Sequence, residues 1–194
     1  VFKVDSTQVN PWTKKPFEND PKFFQFAIVT DRTGGHRDGV FEKAIEKLNR
    51  LHPEFVMSVG DFIEGYSKDQ KEIDRQWAEW DGFMANLRMR FFALPGNHDI
   101  SNEVMRKTWL ERYGKAWYHF VYKDVLFITM DSNDGDGLSI SRSQIDYVTK
   151  AIALIKERAG FINDLWDQSF FFFQRPDAYV EKSVQKFWKP GTSD

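Results

Sequence analysis

The sequence predicts an α/β fold in which buried strands form a sheet and amphipathic helices pack over it. Two patterns carry that expectation. Dense apolar runs of strand length recur at residues 22–30, 55–59 and 89–94, as suits strands covered on both faces. Between them apolar residues recur at helical spacing, so strand and helix alternate in the order that βαβ units require.

Residues 1–21 read as a lead-in to a single domain over 22–194. Pro11, Pro16 and Pro21 punctuate it, and Trp12 and Phe17 are its expected anchors. Proline lacks a ladder N–H, which argues against a central strand here. The run at 22–30 ends in Asp31-Arg32-Thr33-Gly34-Gly35-His36-Arg37, a loop with adjacent glycines. Val40, Phe41, Ala44, Ile45, Leu48 and Leu51 then form one apolar stripe that stops at His52-Pro53.

The strand at 55–59 runs into Gly60-Asp61. After Ser67, the positions Ile73, Trp77, Trp80, Met84 and Leu87 mark a helix with an aromatic inner face. The third strand delivers Gly96-Asn97-His98-Asp99. Ser101 is the expected N-cap of a helix over about 102–112, closed by Gly114. Runs at 117–122 and 125–130 flank Lys123-Asp124 as a hairpin. Ser141-Arg142-Ser143-Gln144 reads as a capping box ahead of Ile145, Val148, Ile152 and Ile155. Residues 167–173 end in four phenylalanines and form a strand candidate, and a short helix is expected over 178–188.

The totals exclude several classes. A chain of 194 residues has room for one adequate core without staples. Basic and acidic residues nearly cancel, 27 against 29, which argues against a nucleic-acid partner that needs a basic face. The absence of Cys rules out disulfides, thiolate metal sites and Cys nucleophiles. No apolar run approaches the roughly 20 residues needed to span a bilayer. The start at Val1, with no signal-like segment, reads as a processed or trimmed protein. The compartment stays open, with export or the periplasm included.

The chemistry gathers at strand ends. Asn97 offers a hard carbonyl oxygen suited to Mn²⁺ or Mg²⁺, and His98 can exchange a proton near neutral pH. Asp99 is expected to accept from the imidazole and orient it. Parallel strands joined by crossover helices bring Asp31, Asp61 and Asn97 to one edge of the sheet. Crowded carboxylates call for a divalent cation, and Asp61 is the candidate bridge between two of them. His52 at a helix end and His119 within a strand read as structural.

In order and spacing, Asp31, Gly60-Asp61 and Gly96-Asn97-His98-Asp99 resemble the calcineurin-like metallophosphoesterases over about residues 22–155. The Asp-Arg-Thr-Gly-Gly-His-Arg loop looks like that of a bacterial branch. The resemblance implies an αββα two-sheet sandwich of the metallo-dependent phosphatase type, truncated at its C-terminus. It implies that Asp31 binds a first metal, Asp61 bridges and Asn97 binds a second. His98 would protonate the leaving oxygen or stabilise the phosphoryl charge, with Asp99 orienting it. A hydroxide on the metal would attack phosphorus in line. The implied cofactor is a divalent metal, up to two ions, Mn or Mg ahead of Fe or Zn. The implied substrate is a phosphorylated small molecule, monoester or diester.

The chain also departs from the family pattern. The first family motif is Asp-x-His, and Thr33 stands at its His position. His36 is then the expected substitute metal ligand. Phe173-Gln174-Arg175-Pro176 stands where the family has a later metal-binding His, and no Gly-His-x-His element occurs before Asp194. Arg32 and Arg37, with Arg175, are expected phosphate ligands. Two other readings accompany the hydrolase: a catalytically inactive phosphate- or ligand-binding relative, and a homo-oligomer that completes its site. The Phe-rich strand would supply the contact, since it is otherwise an exposed edge.

Overall fold

A computed structural model of the chain describes residues 9–17, 25–123, 125–132, 134–135, 139–158 and 170–173. The chain divides into two compact units, 2–118 and 119–194. The larger unit is built on three parallel strands, β1 (Ala27–Val29), β2 (Phe55–Ser58) and β3 (Arg90–Phe92), in the order β1-β2-β3. Helix α1 (Val40–Leu51) connects β1 to β2, α2 (Gln70–Asn86) connects β2 to β3, and α3 (Glu103–Tyr113) follows. The alternation read from the sequence is thus observed as two consecutive βαβ units.

β2 is covered on both faces, with Phe55, Val56 and Met57 at 0% exposure, and β3 is likewise buried at the adjacent Phe91 and Phe92. β1 is an edge strand and leaves Ile28 exposed, which corrects the expectation that its whole apolar run is buried. Residues 22–24 of that run lie outside the described residues. Helix α1 buries Ile45 and Leu48 but leaves Val40 and Leu51 in solvent, so its inner stripe is narrower than the sequence suggests. It stops where His52 turns left-handed (φ 49) and returns its N–H to the Leu48 carbonyl. Helix α2 buries the full expected set, Ile73, Trp77, Trp80, Met84 and Leu87.

Aromatic packing fills the space between α2, α3 and the sheet. The Phe62 ring stacks on Trp80 with centroids 4.3 Å apart and lies 5.9 Å from Trp109. Trp80 Nε1 donates to the Tyr113 hydroxyl at 3.0 Å, so the indole buries no unpaired donor. Asp69 caps α2 by accepting from the Lys71 N–H at 3.0 Å. The Lys15 ammonium sits at the other end, donating to the carbonyls of Met84 (2.7 Å) and Leu87, where the helix dipole favours a cation. Helix α3 is capped by Asn102 rather than Ser101. The Asn102 side chain accepts from the N–H groups of Val104 and Met105, while Ser101 Oγ accepts from the Tyr66 N–H.

The lead-in lies along the free edge of β3. Trp12 forms an antiparallel bridge with Phe92, Ala93 donates to the Pro11 carbonyl and Arg90 to that of Pro16. Each proline supplies the one backbone group it has, an acceptor. Trp12 and Phe17 anchor the segment against Phe92, as expected.

The second unit contains β4 (Tyr118–Tyr122), which starts at its boundary, then β5 (Val125–Met130), α4 (Arg142–Arg158) and β6 (Phe170–Phe173). Its sheet has the order β4-β5-β6, with β5 and β6 parallel. Leu126, Ile128 and Met130 pack with Ile140, Val148 and Ile152. The Ser141 hydroxyl accepts from the Gln144 N–H, as a capping residue does. The Gln144 side chain does not complete the box. It exchanges two hydrogen bonds with the Asp131 backbone, 2.8 and 2.7 Å, and so ties α4 to the end of β5. His119 Nδ1 pairs with the Tyr147 hydroxyl at 2.7 Å. The helix expected over 178–188, and Gln174, Arg175 and Pro176, lie outside the described residues.

Because Trp80 is fully buried between Phe62, Phe91 and Phe41, Trp80→Ala is expected to cost about 3–5 kcal/mol of stability. Urea unfolding followed by circular dichroism measures it.

Candidate functional site

The carboxyl ends of β1, β2 and β3 lead into three loops, beginning at Asp31, at Gly60-Asp61 and at Pro95-Gly96. Two of these loops touch backbone to backbone. A Cβ on Gly60 would lie 2.3 Å from the Gly96 nitrogen, and one on Gly96 would lie 2.0 Å from Asp61 Oδ1. No other residue fits at either place. Asp31 and Asp61 both have positive φ, 47 and 59, which Asp tolerates better than most residues. The first loop is tied to the second through Asp31 N–H to Gly60 O (3.3 Å) and through the Thr33 N–H and hydroxyl to Asp61 O.

Asp99 fastens the second loop to the third. Its Oδ2 accepts from the N–H groups of Asp61 (2.8 Å) and Gly96 (2.7 Å), and its Oδ1 from those of Phe62 (2.9 Å) and Ile63 (3.3 Å). The carboxyl is fully buried, and burial pushes it up to about 7 against the pull of the Gly96 and Phe62 amides. The expectation that Asp99 orients the His98 ring is therefore corrected. Both its oxygens are occupied by backbone donors, and the imidazole is oriented elsewhere.

His98 Nδ1 lies 2.7 Å from the Glu64 carbonyl oxygen. A carbonyl only accepts, so Nδ1 is the protonated nitrogen and Nε2 is left for chemistry. Nε2 stands beside Gly34, where a Cβ would approach it to 3.5 Å. The His98 N–H donates to Asp61 Oδ1 at 3.1 Å. Asp61 is nearly buried, at 8% exposure. Its pKa is raised, first by burial and further by Asp31, whose side chain shares a hydrogen bond with it; the His98 N–H pulls it back. The structure thus brings Asp31, Asp61 and His98 together.

Asn97 is half-buried and its Nδ2 donates to the Tyr66 hydroxyl at 2.7 Å, which fixes the amide. Asp31 and Asp61 carry hard carboxylate oxygens and Asn97 a neutral one. Two carboxylates in contact, one of them desolvated, are what a divalent cation neutralises, so these residues fit Mg²⁺ or Mn²⁺. Among the described residues no group of three or more His, Asp or Glu side chains is arranged to hold a metal.

His36 does not join Asp31 and Asp61 in such a group. It is exposed and its Nδ1 pairs with Glu64 at 2.7 Å. Arg32, expected to bind phosphate, is buried. Its guanidinium donates to the Phe62 carbonyl at 2.9 Å and to Glu79 and lies 4.6 Å over the Phe83 ring. Arg37 is exposed, and its carbonyl accepts from Val40 N–H at the start of α1. Sequence reasoning missed Glu64, which holds His98, and Tyr66, which holds Asn97. Gly65 between them was a signal, a glycine inside a loop that already followed Gly60-Asp61.

A model of the calcineurin-like phosphoesterase family matches residues 24–190. The chain belongs to that family. Among solved structures it resembles a dimetal phosphatase from Danio rerio, with a TM-score of 0.65 and 13% identity over 84% of this chain and 76% of that one. It also resembles GAP50, titled the anchor in the inner membrane complex of Plasmodium, with a TM-score of 0.53 and 16% identity over 84% of this chain and 61% of that one. At such identities the likeness is one of fold, here the mixed α/β fold with two sheets of the dimetal phosphatases. A different likeness runs to glutamate–tRNA ligases. That of Porphyromonas gingivalis is 52% identical over 154 residues, 69% of this chain and 28% of the ligase. That of Christiangramia forsetii is 48% identical over 48 residues, 25% of this chain. The chain spans about a tenth of the length of the Christiangramia enzyme.

Removal of the Asp99 carboxylate leaves buried backbone N–H groups without acceptors. Asp99→Ala is expected to destabilise the fold by about 3 kcal/mol or more. Asp99→Asn should cost less but still measurably, since it keeps one acceptor oxygen. Chemical denaturation of the two variants beside the parent checks the order.

Proposed function

We propose that this chain hydrolyses a phosphoester of a small molecule with a divalent cation held by Asp31, Asp61 and Asn97. The observation that carries the reading is the contact between Asp31 and Asp61, with Asp61 buried and His98 donating its N–H to it. Membership of the phosphoesterase family supports the reaction class. Mg²⁺ or Mn²⁺ suits the oxygen donors, and what such a cation supplies when bound is charge neutralisation and a lowered pKa for water.

The chain's own residues do the rest. Asp31 and Asp61 gather the negative charge that draws the cation. Asn97 adds a neutral oxygen, held in place through Tyr66. His98 keeps Nδ1–H on the Glu64 carbonyl, so a proton carried on Nε2 is available to the leaving oxygen. Gly34 leaves room at that nitrogen for a substrate atom. Arg37, exposed on the first loop, is the remaining described arginine of the proposed phosphate ligands. Among the described residues no helix is long and apolar enough to cross a membrane.

A second reading, a ligand-binding relative without turnover, is favoured by one local observation. Thr33 stands where the family motif has a metal-binding His, and its hydroxyl is committed to the Asp61 carbonyl.

The two readings separate in one assay. The hydrolase is expected to cleave 4-nitrophenyl phosphate with Mn²⁺, to stop on chelation, and to lose about 100-fold or more in kcat/KM in Asp61→Asn. Mn²⁺ binding with no cleavage, or no Mn²⁺ binding at all, supports the second reading and contradicts the first. Because the Asp61 pKa is raised, protons compete with the cation at a higher pH than at an ordinary aspartate. Mn²⁺ affinity is therefore expected to begin falling at a higher pH than an ordinary aspartate would give as the solution is acidified. Calorimetric titration at stepped pH reads that onset.

A further inference from the structure

The loop between β2 and α2 carries an aromatic ring that the proposed hydrolysis does not use. Tyr66 is 63% exposed and has φ 51, the left-handed region where a bulky residue is an outlier. Gly65 before it has φ 67, and a Cβ there would lie 1.8 Å from the His98 carbonyl oxygen. Such a backbone persists only where its surroundings over-determine it. Here they do. Gly65 N–H donates to Gln76 Oε1 on α2 at 2.8 Å, and Tyr66 N–H donates to Ser101 Oγ at 3.2 Å. The Tyr66 hydroxyl accepts from Asn97 at 2.7 Å, and its ring meets the His98 imidazole edge-on with centroids 4.9 Å apart.

A large ring left in water, yet fixed at its backbone, its hydroxyl and its edge, is preorganised for a contact the protein itself does not make. We infer that Tyr66 is a specificity-determining residue whose ring is a platform for a flat aromatic group on the leaving side of the phosphoester. The substrate class is then aryl and nucleoside phosphoesters in preference to alkyl ones. The inference rests on the reading of Asp31, Asp61, Asn97 and His98 as the hydrolytic site. In that reading His98 gives its proton to the leaving oxygen, so the group that departs lies beside the ring His98 touches. A rigid tyrosine loses little entropy on contact, and stacking accepts any flat π-system. The hydroxyl has a separate task, the positioning of Asn97.

Phenylphosphonate and methylphosphonate share one anionic head and cannot be hydrolysed, so titrating each into the Mn²⁺-loaded full chain reads binding without turnover. The parent protein is expected to bind phenylphosphonate about tenfold more tightly than methylphosphonate. Tyr66→Phe should keep that ratio, because the ring remains. Tyr66→Asn, chosen because Asn tolerates the left-handed backbone, should bring the ratio to about one. Equal affinities in the parent, or a ratio that survives Tyr66→Asn, would overturn the platform and leave the hydrolytic site standing. The parent comparison decides even if the Asn variant does not fold. Binding of neither phosphonate would overturn the hydrolytic reading and this inference with it.

Discussion

Four backbone N–H groups from two loops converge on the buried carboxylate of Asp99, and the rest of the site is arranged around that convergence. The bonds draw Asp61, Phe62 and Ile63 against Gly96, which forces the Gly60–Gly96 approach and leaves no space for a Cβ on either. Asp61 is then held where its oxygen takes the His98 N–H and its carboxylate meets Asp31. A buried acid satisfied only by amides is expensive to form and rigid once formed. It allows the side chains that meet solvent to be few.

That rigidity accounts for the conformational outliers on these loops. Asp31, Asp61 and Tyr66 all have positive φ and all lie on the loops gathered around Asp99 and His98. Strain of this kind costs of order 1–3 kcal/mol per residue. The aromatic cluster beneath, Phe62 with Trp80, Trp109 and Phe91, offsets it by burying large rings at the foot of the second loop. The same Phe62 gives its N–H to Asp99 and its carbonyl to Arg32, so one residue joins the core to the site.

Much of this was legible in the sequence, and the misses have a common cause. The periods of α1 and α2 and the apolar runs of β2 and β5 depend on near neighbours along the chain, so spacing alone exposed them. The arrival of Asp31, Asp61 and Asn97 at strand ends followed from βαβ handedness. Partners far apart in sequence were not legible. Asp99 read as the partner of adjacent His98, yet three of its acceptor contacts reach back to Asp61, Phe62 and Ile63. Arg32 read as a surface ligand and instead turns inward to Phe62 and Glu79. Glu64 acts through its backbone carbonyl, which no side-chain pattern announces. The fold is likewise shared by a structure titled as a phosphatase and one titled as an anchor, so function rests on the residues at the strand ends.

The proposed hydrolysis needs the two acids Asp31 and Asp61, which interact side chain to side chain, to hold a cation together. The most direct test is an anomalous difference map from crystals soaked in Mn²⁺. The prediction is a peak within about 2.0–2.6 Å of oxygens from both Asp31 and Asp61. A map with no peak there, or with manganese bound only at other residues, would contradict it.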